Sequence, residues 1–182
     1  MTASAFTLFD TPIGTCGLVW GARGIAGLQL PESTAEATRA RVKRRWAGVV
    51  ETTPPAGVQR ALDRVQALLA GEPASLGDIP LDLDAAPEFH RKVYEVARTI
   101  PPGQTMTYGE IARRIGAPHE SRAVGQALGK NPIAIIVPCH RVLGADGKMG
   151  GFSAGGGVAT KRRILEIEGA PALGAGPLFA SR

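Results

Sequence analysis

A cysteine followed directly by a histidine, in Pro138-Cys-His-Arg141, is the stretch of this sequence best equipped for chemistry. A thiolate is a soft nucleophile, but an ordinary thiol has a pKa of about 8.5, so a base or a positive environment must activate it. The apolar run Ile133 to Val137 reads as a β-like segment, and neighbours in an extended chain point to opposite faces. His140 therefore needs a water relay or a bend to take the Cys139 proton. A buried structural cysteine is the competing reading. The closing helix, from about Val158 to Glu168, offers a third group. At about 100° per residue, Ile164, Leu165 and Ile167 set an apolar arc that contains Glu168, while Glu166 points away beside Arg162 and Arg163. A buried carboxylate must be paired, and an imidazole would serve. A solvated, frayed last turn is the alternative for a residue next to Gly169.

Between these groups lies Gly150-Gly-Phe-Ser-Ala-Gly-Gly-Gly157, a loop able to expose backbone N–H groups to a ligand. It lacks the Gly-x-x-x-x-Gly-Lys-Ser/Thr spacing of a phosphate loop, and a flexible linker is the plainer reading. Cys16 and Cys139 are the only cysteines, with no Cys-x-x-Cys pair, which argues against a disulfide framework or zinc knuckle.

The elements that must position these residues fall into two halves. Short apolar runs, Phe6 to Phe9, Pro12 to Trp20 and Ile25 to Leu30, predict a β-meander. Ser33 or Thr34 caps a helix reaching about Trp46, with a basic run from Arg39 to Arg45. Val58, Leu62, Val65 and Leu69 predict a second helix. Gly71 to Pro80 reads as a linker. Pro87 opens a third helix, with Phe89, Val93, Val96, Ala97 and Ile100 as its apolar stripe and Pro101-Pro102-Gly103 as its stop. Tyr108 to Ile115 and Ser121 to Leu128, joined by Gly116-Ala-Pro-His-Glu120, have the layout of a helix-turn-helix. The division is therefore an N-terminal α/β structural domain, residues 1–80, and a C-terminal domain, residues 81–182.

Charge separates the halves as well. Residues 1–84 carry 8 basic and 9 acidic side chains, residues 85–182 carry 13 and 7, so the positive excess of this basic chain lies wholly in the second half and favours a polyanionic partner. On the second helix of the helix-turn-helix, Arg122, Ala123, Gln126 and Ala127 share a face opposite Val124 and Leu128. Such small side chains fit closely into a groove but offer few donors to base edges, which predicts little sequence preference. No apolar stretch approaches the roughly 20 residues of a membrane span, and the start has no secretory pattern, so a cytoplasmic location is expected.

Ile100-Pro-Pro-Gly-Gln-Thr-Met-Thr-Tyr-Gly109, Arg122-Ala-Val-Gly125, Asn131-Pro132, Ile136-Val-Pro-Cys-His-Arg-Val142 and Glu168-Gly169 resemble, in order, the C-terminal domain of the 6-O-alkylguanine-DNA alkyltransferases, the methylated-DNA–protein-cysteine methyltransferases. The resemblance spans about residues 87–170. The first half is similar to that family's N-terminal domain only in outline, through its hairpins and the Thr11-Pro-Ile-Gly14 turn. It implies an α/β (α+β) protein, with a ribonuclease-H-like N-terminal β-meander with helices and a winged-helix-like C-terminal domain. It further implies irreversible, single-turnover transfer of an alkyl group from guanine in duplex DNA to Cys139, with His140 acting through water and Glu168 orienting the imidazole. Asn131 would bridge the helix-turn-helix to the active-site turn. Tyr108 would press on the phosphate and donate to the guanine. Arg122 would fill the gap left in the duplex, with Ala123, Gln126, Ala127 and Lys130 also facing DNA. The Val142 carbonyl and the Ser153 N–H would contact the flipped base.

Two departures from the family pattern stand out: the Ser153 to Gly157 loop is about two residues longer, and Phe152 stands where Tyr is often found. The first half has one Cys and no His, so the zinc some relatives carry is not expected, nor any other cofactor. A monomer acting on alkylated duplex DNA is the resulting expectation. Its rivals are a protein that recognises such damage without repairing it, a cysteine hydrolase and a plain helix-turn-helix regulator.

Overall fold

The computed structural model describes residues 3–149 and 157–171. Strands β1 (Ala3–Thr11), β2 (Gly14–Gly21) and β3 (Gly24–Gln29) form the expected antiparallel meander. After helix α1 (Ala35–Arg45), the short β4 (Val50–Glu51) joins parallel to β1, giving the order β3-β2-β1-β4. Thr34 caps α1 by accepting from the Ala37 N–H at 3.1 Å. Strand alternation sends Phe6 and Val19 to one face, where Val42, Trp46 and Val49 cover them. Gly17 and Gly27 make this approach possible: a β-carbon at either would collide with Val42 or with the Trp46 ring. The opposite face, with Cys16, Leu18, Trp20 and Leu28, belongs to a larger buried cluster that continues through α2 (Ala56–Leu69) into the second half.

The connector after α2 is irregular, as expected of a linker, yet it is held down. Leu76 and Ile79 are buried, and Arg98 Nη2 donates to the carbonyls of Leu76, Gly77 and Ile79 at 3.2, 2.7 and 2.8 Å. Beyond it the chain returns to the edge of β3, where the Ile25 N–H donates to the Pro80 carbonyl, the Ile25 carbonyl accepts from the Asp82 N–H, and the Leu28 N–H donates to the Pro132 carbonyl. Helix α3 (Glu88–Arg98) follows, with Pro87 at the cap position rather than inside the first turn. Its buried residues are Val93, Tyr94 and Ala97, while Phe89 and Val96 lie at the rim of the core.

Helices α4 (Tyr108–Arg114) and α5 (Ser121–Gly129) make the helix-turn-helix, packing Ile111 and Ala112 with Val124 and Leu128 in the core. The α4 start is fixed by a capping box, Thr107 and Glu110 each bonding the other's backbone N–H. Gly116, at φ 77°, ends α4 in the left-handed region.

One element differs from expectation. Ile133 to Val137 is not a strand: the Val137 N–H returns to the Ile133 carbonyl at 2.9 Å, and Ile135 has φ 71°. The cause is Asn131, whose amide spans the fold by accepting from the Ile133 N–H and donating to the Val137 carbonyl, each at 2.9 Å. The run is apolar because it is buried as a loop, in which Asn131 and bonds within the loop take up the Ile133, Ile136 and Val137 N–H groups.

Candidate active site

Two short elements bring the predicted residues together. Strands β5 (Met106–Thr107) and β6 (Val142–Leu143) form a two-residue parallel ladder. Tyr108 directly follows the first and Cys139 to Arg141 directly precede the second, so the ladder places the start of the helix-turn-helix beside the Cys-His pair. Those three residues form one 3-10 turn, not the extended segment expected. The turn is the bend that alternation could not provide: it separates Cys139 and His140 by rotation, and both are buried.

Asn131 Nδ2 lies 3.4 Å from Cys139 Sγ as well as 2.9 Å from the Val137 carbonyl. The bridge implied by the family resemblance is thus present as a contact to the thiol itself. Asn131 is anchored from the first half too, since Arg45 Nη2 donates to its carbonyl at 3.2 Å and stacks over Trp46. Burial pushes the Cys139 thiol pKa up, opposed by the Asn131 hydrogen bond and the charge of Lys161.

Glu168 lies inward, as its spacing predicted, but one residue past the end of α6 (Gly157–Ile167). Its side chain is 1% exposed and its Oε1 is 2.9 Å from His140 Nε2. Arg141 grips the same carboxylate with one edge of its guanidinium, Nε to Oε2 at 2.9 Å and Nη2 to Oε1 at 2.7 Å, and its Nη1 donates to the Ile100 carbonyl at 2.6 Å. Burial alone would raise the Glu168 pKa, but the His140 and Arg141 bonds overcome it and hold the group at about 2. Burial lowers the His140 pKa against the pull of Glu168. The pair is therefore a neutral imidazole donating Nε2–H to a carboxylate, which leaves Nδ1 as the free acceptor. Glu166, by contrast, is exposed and 3.8 Å from Arg163.

Sequence reasoning missed two members of this site. Arg141 is one. The other is Lys161, 2% exposed, whose Nζ donates to the Val142 carbonyl at 2.6 Å. The signal was available, because Lys161 stands seven residues before Glu168 on the same stripe as Ile164 and Leu165. That carbonyl, expected to face a base, keeps one lone pair beyond the Lys161 bond.

Tyr108 is half-buried, its ring against Gly125, and burial raises its pKa so that it stays a neutral donor. With Arg113, Ser121, Arg122 and Ala145 it lines an open groove of about 600 Å³ at the mouth of the helix-turn-helix. Arg122, Gln126 and Lys130 are exposed and Ala123 is half-buried on the outer side of α5. Ala127 is not on that face: it is fully buried beside Val124 and Leu128, and its carbonyl accepts from the Tyr94 hydroxyl at 2.9 Å. A helix residue three positions after one core residue and next to another points into the core, and here that spacing outweighs grouping it with Arg122 and Ala123. Ser153 and Phe152, with the lengthened loop, lie outside the described residues. Among the described residues no cluster of His, Cys, Asp or Glu could hold a metal ion.

The profile of the family described as 6-O-methylguanine DNA methyltransferase, DNA binding domain, matches residues 88–170. The methylated-DNA–protein-cysteine methyltransferase of Mycobacterium tuberculosis strain H37Rv is 43% identical over 163 residues, covering 90% of this chain and 91% of that protein. The chain belongs to the methylated-DNA–protein-cysteine methyltransferase family. A more distant member, from Methanothermobacter thermautotrophicus, is 34% identical over 87% of this chain and 81% of its own. Among solved structures, Mycobacterium tuberculosis OGT in complex with DNA matches with a TM-score of 0.72 and 41% identity, covering 92% of this chain and 96% of that one. Membership in this family thus rests on both halves, not on the helix-turn-helix alone.

Proposed function

We propose that the protein repairs duplex DNA by moving an alkyl group from the 6-oxygen of guanine onto Cys139, once per molecule. The observation that carries this reading is the buried chain of contacts from Asn131 to the Cys139 thiol and from His140 to Glu168 and Arg141, set beside a helix-turn-helix whose outer face bears Arg122, Gln126 and Lys130. The helix-turn-helix holds the duplex through its phosphates, and the target base leaves the stack to reach a thiol that the fold keeps buried. Arg122 occupies the space it vacates. Tyr108 donates to the flipped guanine, and the Val142 carbonyl accepts from it with its remaining lone pair.

The proton of Cys139 passes through a water to His140 Nδ1, and the imidazolium so formed is stabilised by the Glu168 carboxylate at Nε2. The thiolate attacks the alkyl carbon, a C–S bond forms as the C–O bond breaks, and the electron pair moves onto guanine. The imidazolium proton returns through the water to the base. Nothing in this site hydrolyses the resulting thioether, so the reaction stops after one equivalent. In this reading the acting species is a cytoplasmic monomer and no cofactor takes part.

Incubation with methylated duplex DNA followed by peptide mass analysis tests the proposal. One methyl per molecule on the Cys139 peptide is expected. Turnover beyond one equivalent would point to a hydrolase, and binding without any mass change to a damage-recognition protein. Affinity for DNA should fall with salt by roughly 0.9 in log–log slope per phosphate contacted, with little dependence on flanking sequence.

A further inference from the structure

Resting on Cys139 as the acceptor, the geometry points to Lys161 as the resident counter-ion of the Cys139 thiolate, a positioning residue whose charge the site holds in reserve until the thiol ionises. The argument is one of charge balance. Three side chains of the site are charged and buried: Glu168, Arg141 and Lys161. Glu168 and Arg141 neutralise each other through a two-point contact. Lys161 has no carboxylate partner among the described residues, and its ammonium rests on a single neutral acceptor, the Val142 carbonyl at 2.6 Å. The residues outside the description, 1–2, 150–156 and 172–182, contain no Asp or Glu, so no acidic side chain there can supply the missing charge.

A buried cation without a counter-charge is costly, and it persists where an anion is to form. The nearby group able to become one is Cys139, three residues before the Val142 carbonyl that Lys161 holds; burial lowers the Lys161 pKa and a Cys139 thiolate opposes that, while Lys161 in turn favours ionisation of the thiol against its own burial. The other titratable groups facing the thiol do not fill this role. His140 on the 3-10 turn is neutral and committed to Glu168, and the Tyr94 and Tyr108 hydroxyls, from α3 and α4, are disfavoured as anions by burial first and by the same thiolate second. In this role Lys161 is protonated whenever the thiolate is present. It neither donates to the base nor accepts from the thiol, and acts only by its charge and by fixing the Val142 carbonyl.

Alkylation then has an electrostatic consequence. A thioether cannot ionise, so the alkylated protein contains a lysine whose prospective counter-ion is gone, and its ammonium becomes more acidic.

Two measurements test this. In a Cys16→Ser background, the rate of Cys139 modification by iodoacetamide is followed against pH for the parent, Lys161→Met and Lys161→Arg, alongside binding to undamaged duplex. The midpoint should rise by at least one pH unit in Lys161→Met, a tenfold or greater loss of rate at pH 7, with DNA binding kept, and Lys161→Arg should restore most of it. An unmoved midpoint in Lys161→Met overturns the proposal. Because a variant of a buried residue can fail to fold, the second measurement uses the parent side chain: carbon NMR of the Lys161 ε position, titrated before and after methylation of Cys139 by methyl iodide. The lysine should titrate at lower pH in the methylated protein, and equal midpoints overturn the proposal. Neither experiment uses damaged DNA, so a protein that shows both effects yet takes no alkyl group from DNA contradicts the repair function and not the role of Lys161.

Discussion

Each half of the molecule contains one buried cysteine, and the two differ in everything but burial. Cys16 sits on β2 under the apolar cluster, with the Thr11 hydroxyl 3.9 Å from its sulfur, and burial pushes its thiol up to about 12. Cys139 is buried too, but an amide donor touches its sulfur, a lysine charge acts on it, and a His-Glu-Arg network begins at the next residue. Burial by itself makes a thiol inert, and reactivity comes from what is buried with it. The β-sheet half reaches this network from Arg45, which donates to the Asn131 carbonyl, and from the Leu28 N–H, which donates to the Pro132 carbonyl next to it.

The largest test of this contrast is substitution of each thiol. Cys139→Ser should abolish alkyl transfer while retaining DNA binding, and Cys16→Ser should transfer one equivalent at the parent rate. Quantitative adduct mapping on both variants reads the result, and any adduct on Cys16 breaks the comparison. Next in size is Glu168→Gln. Breaking its buried contact with Arg141 should cost about 3–5 kcal/mol of stability and slow transfer at least tenfold, whereas Glu166→Gln on the exposed side of α6 should stay within about 0.5 kcal/mol with an unchanged rate. Urea unfolding and single-turnover kinetics compare the two. Equal effects would mean that the inward position of Glu168 has no bearing on chemistry.

Methylation of Cys139 should lower stability by about 1–3 kcal/mol, because a methyl is forced into close-packed surroundings. For a chain of this size each kcal/mol corresponds to roughly 2–4 °C in Tm, so scanning calorimetry after reaction should show a drop of several degrees that is absent in Cys139→Ser. An unchanged Tm would show that the pocket already holds room for the adduct.

The pH dependence of stability sharpens the contrast further. His140 has its folded pKa below the ordinary 6.5, so the unfolded chain binds a proton that the folded one refuses, and stability should decline as pH falls through about 6.5. Glu168 is depressed from 4.5 to about 2, so its contribution is present above 4.5 and lost as pH falls from there toward 2. Denaturation across this range should lose its first step in His140→Gln and much of its second in Glu168→Gln. Smallest of all, Thr34→Ala removes the α1 cap in the scaffold half at a cost of about 1 kcal/mol and should leave transfer untouched. A slowed reaction in that variant would show that the scaffold is coupled to the site more tightly than these contacts account for.

The sequence carried its regular elements openly. Short apolar runs broken by Gly and Pro placed the meander, the Ser33 or Thr34 cap and the apolar spacing placed α1 and α2, and the arc of α6 turned Glu168 inward. What it concealed depended on side chains bonding backbone. Ile133 to Val137 has the composition of a strand, and only the Asn131 amide, acting on two peptide groups at once, makes it a loop. Ala127 shows the same limit in miniature, since an alanine serves equally well facing a DNA groove or a protein core. Arg141 and Lys161 escaped notice because charged residues are ordinarily solvated, and their burial is visible only once Glu168 and the Val142 carbonyl are in place.

The seven-residue spacing of Lys161 and Glu168 makes α6 a ruler with one permitted graduation. A single residue inserted between them would swing one charge about 100° around the axis relative to the other and out of the core, disabling either the cation or the carboxylate. Four inserted residues, close to a whole turn, would restore the angle but displace Glu168 by about 6 Å along the axis, beyond the reach of His140. If Lys161 and Glu168 act as proposed, the length of this helix is itself a determinant of activity while the outward positions Arg162, Arg163 and Glu166 are free to drift, and divergence among functional descendants of this chain should accumulate there as substitutions and never as insertions or deletions.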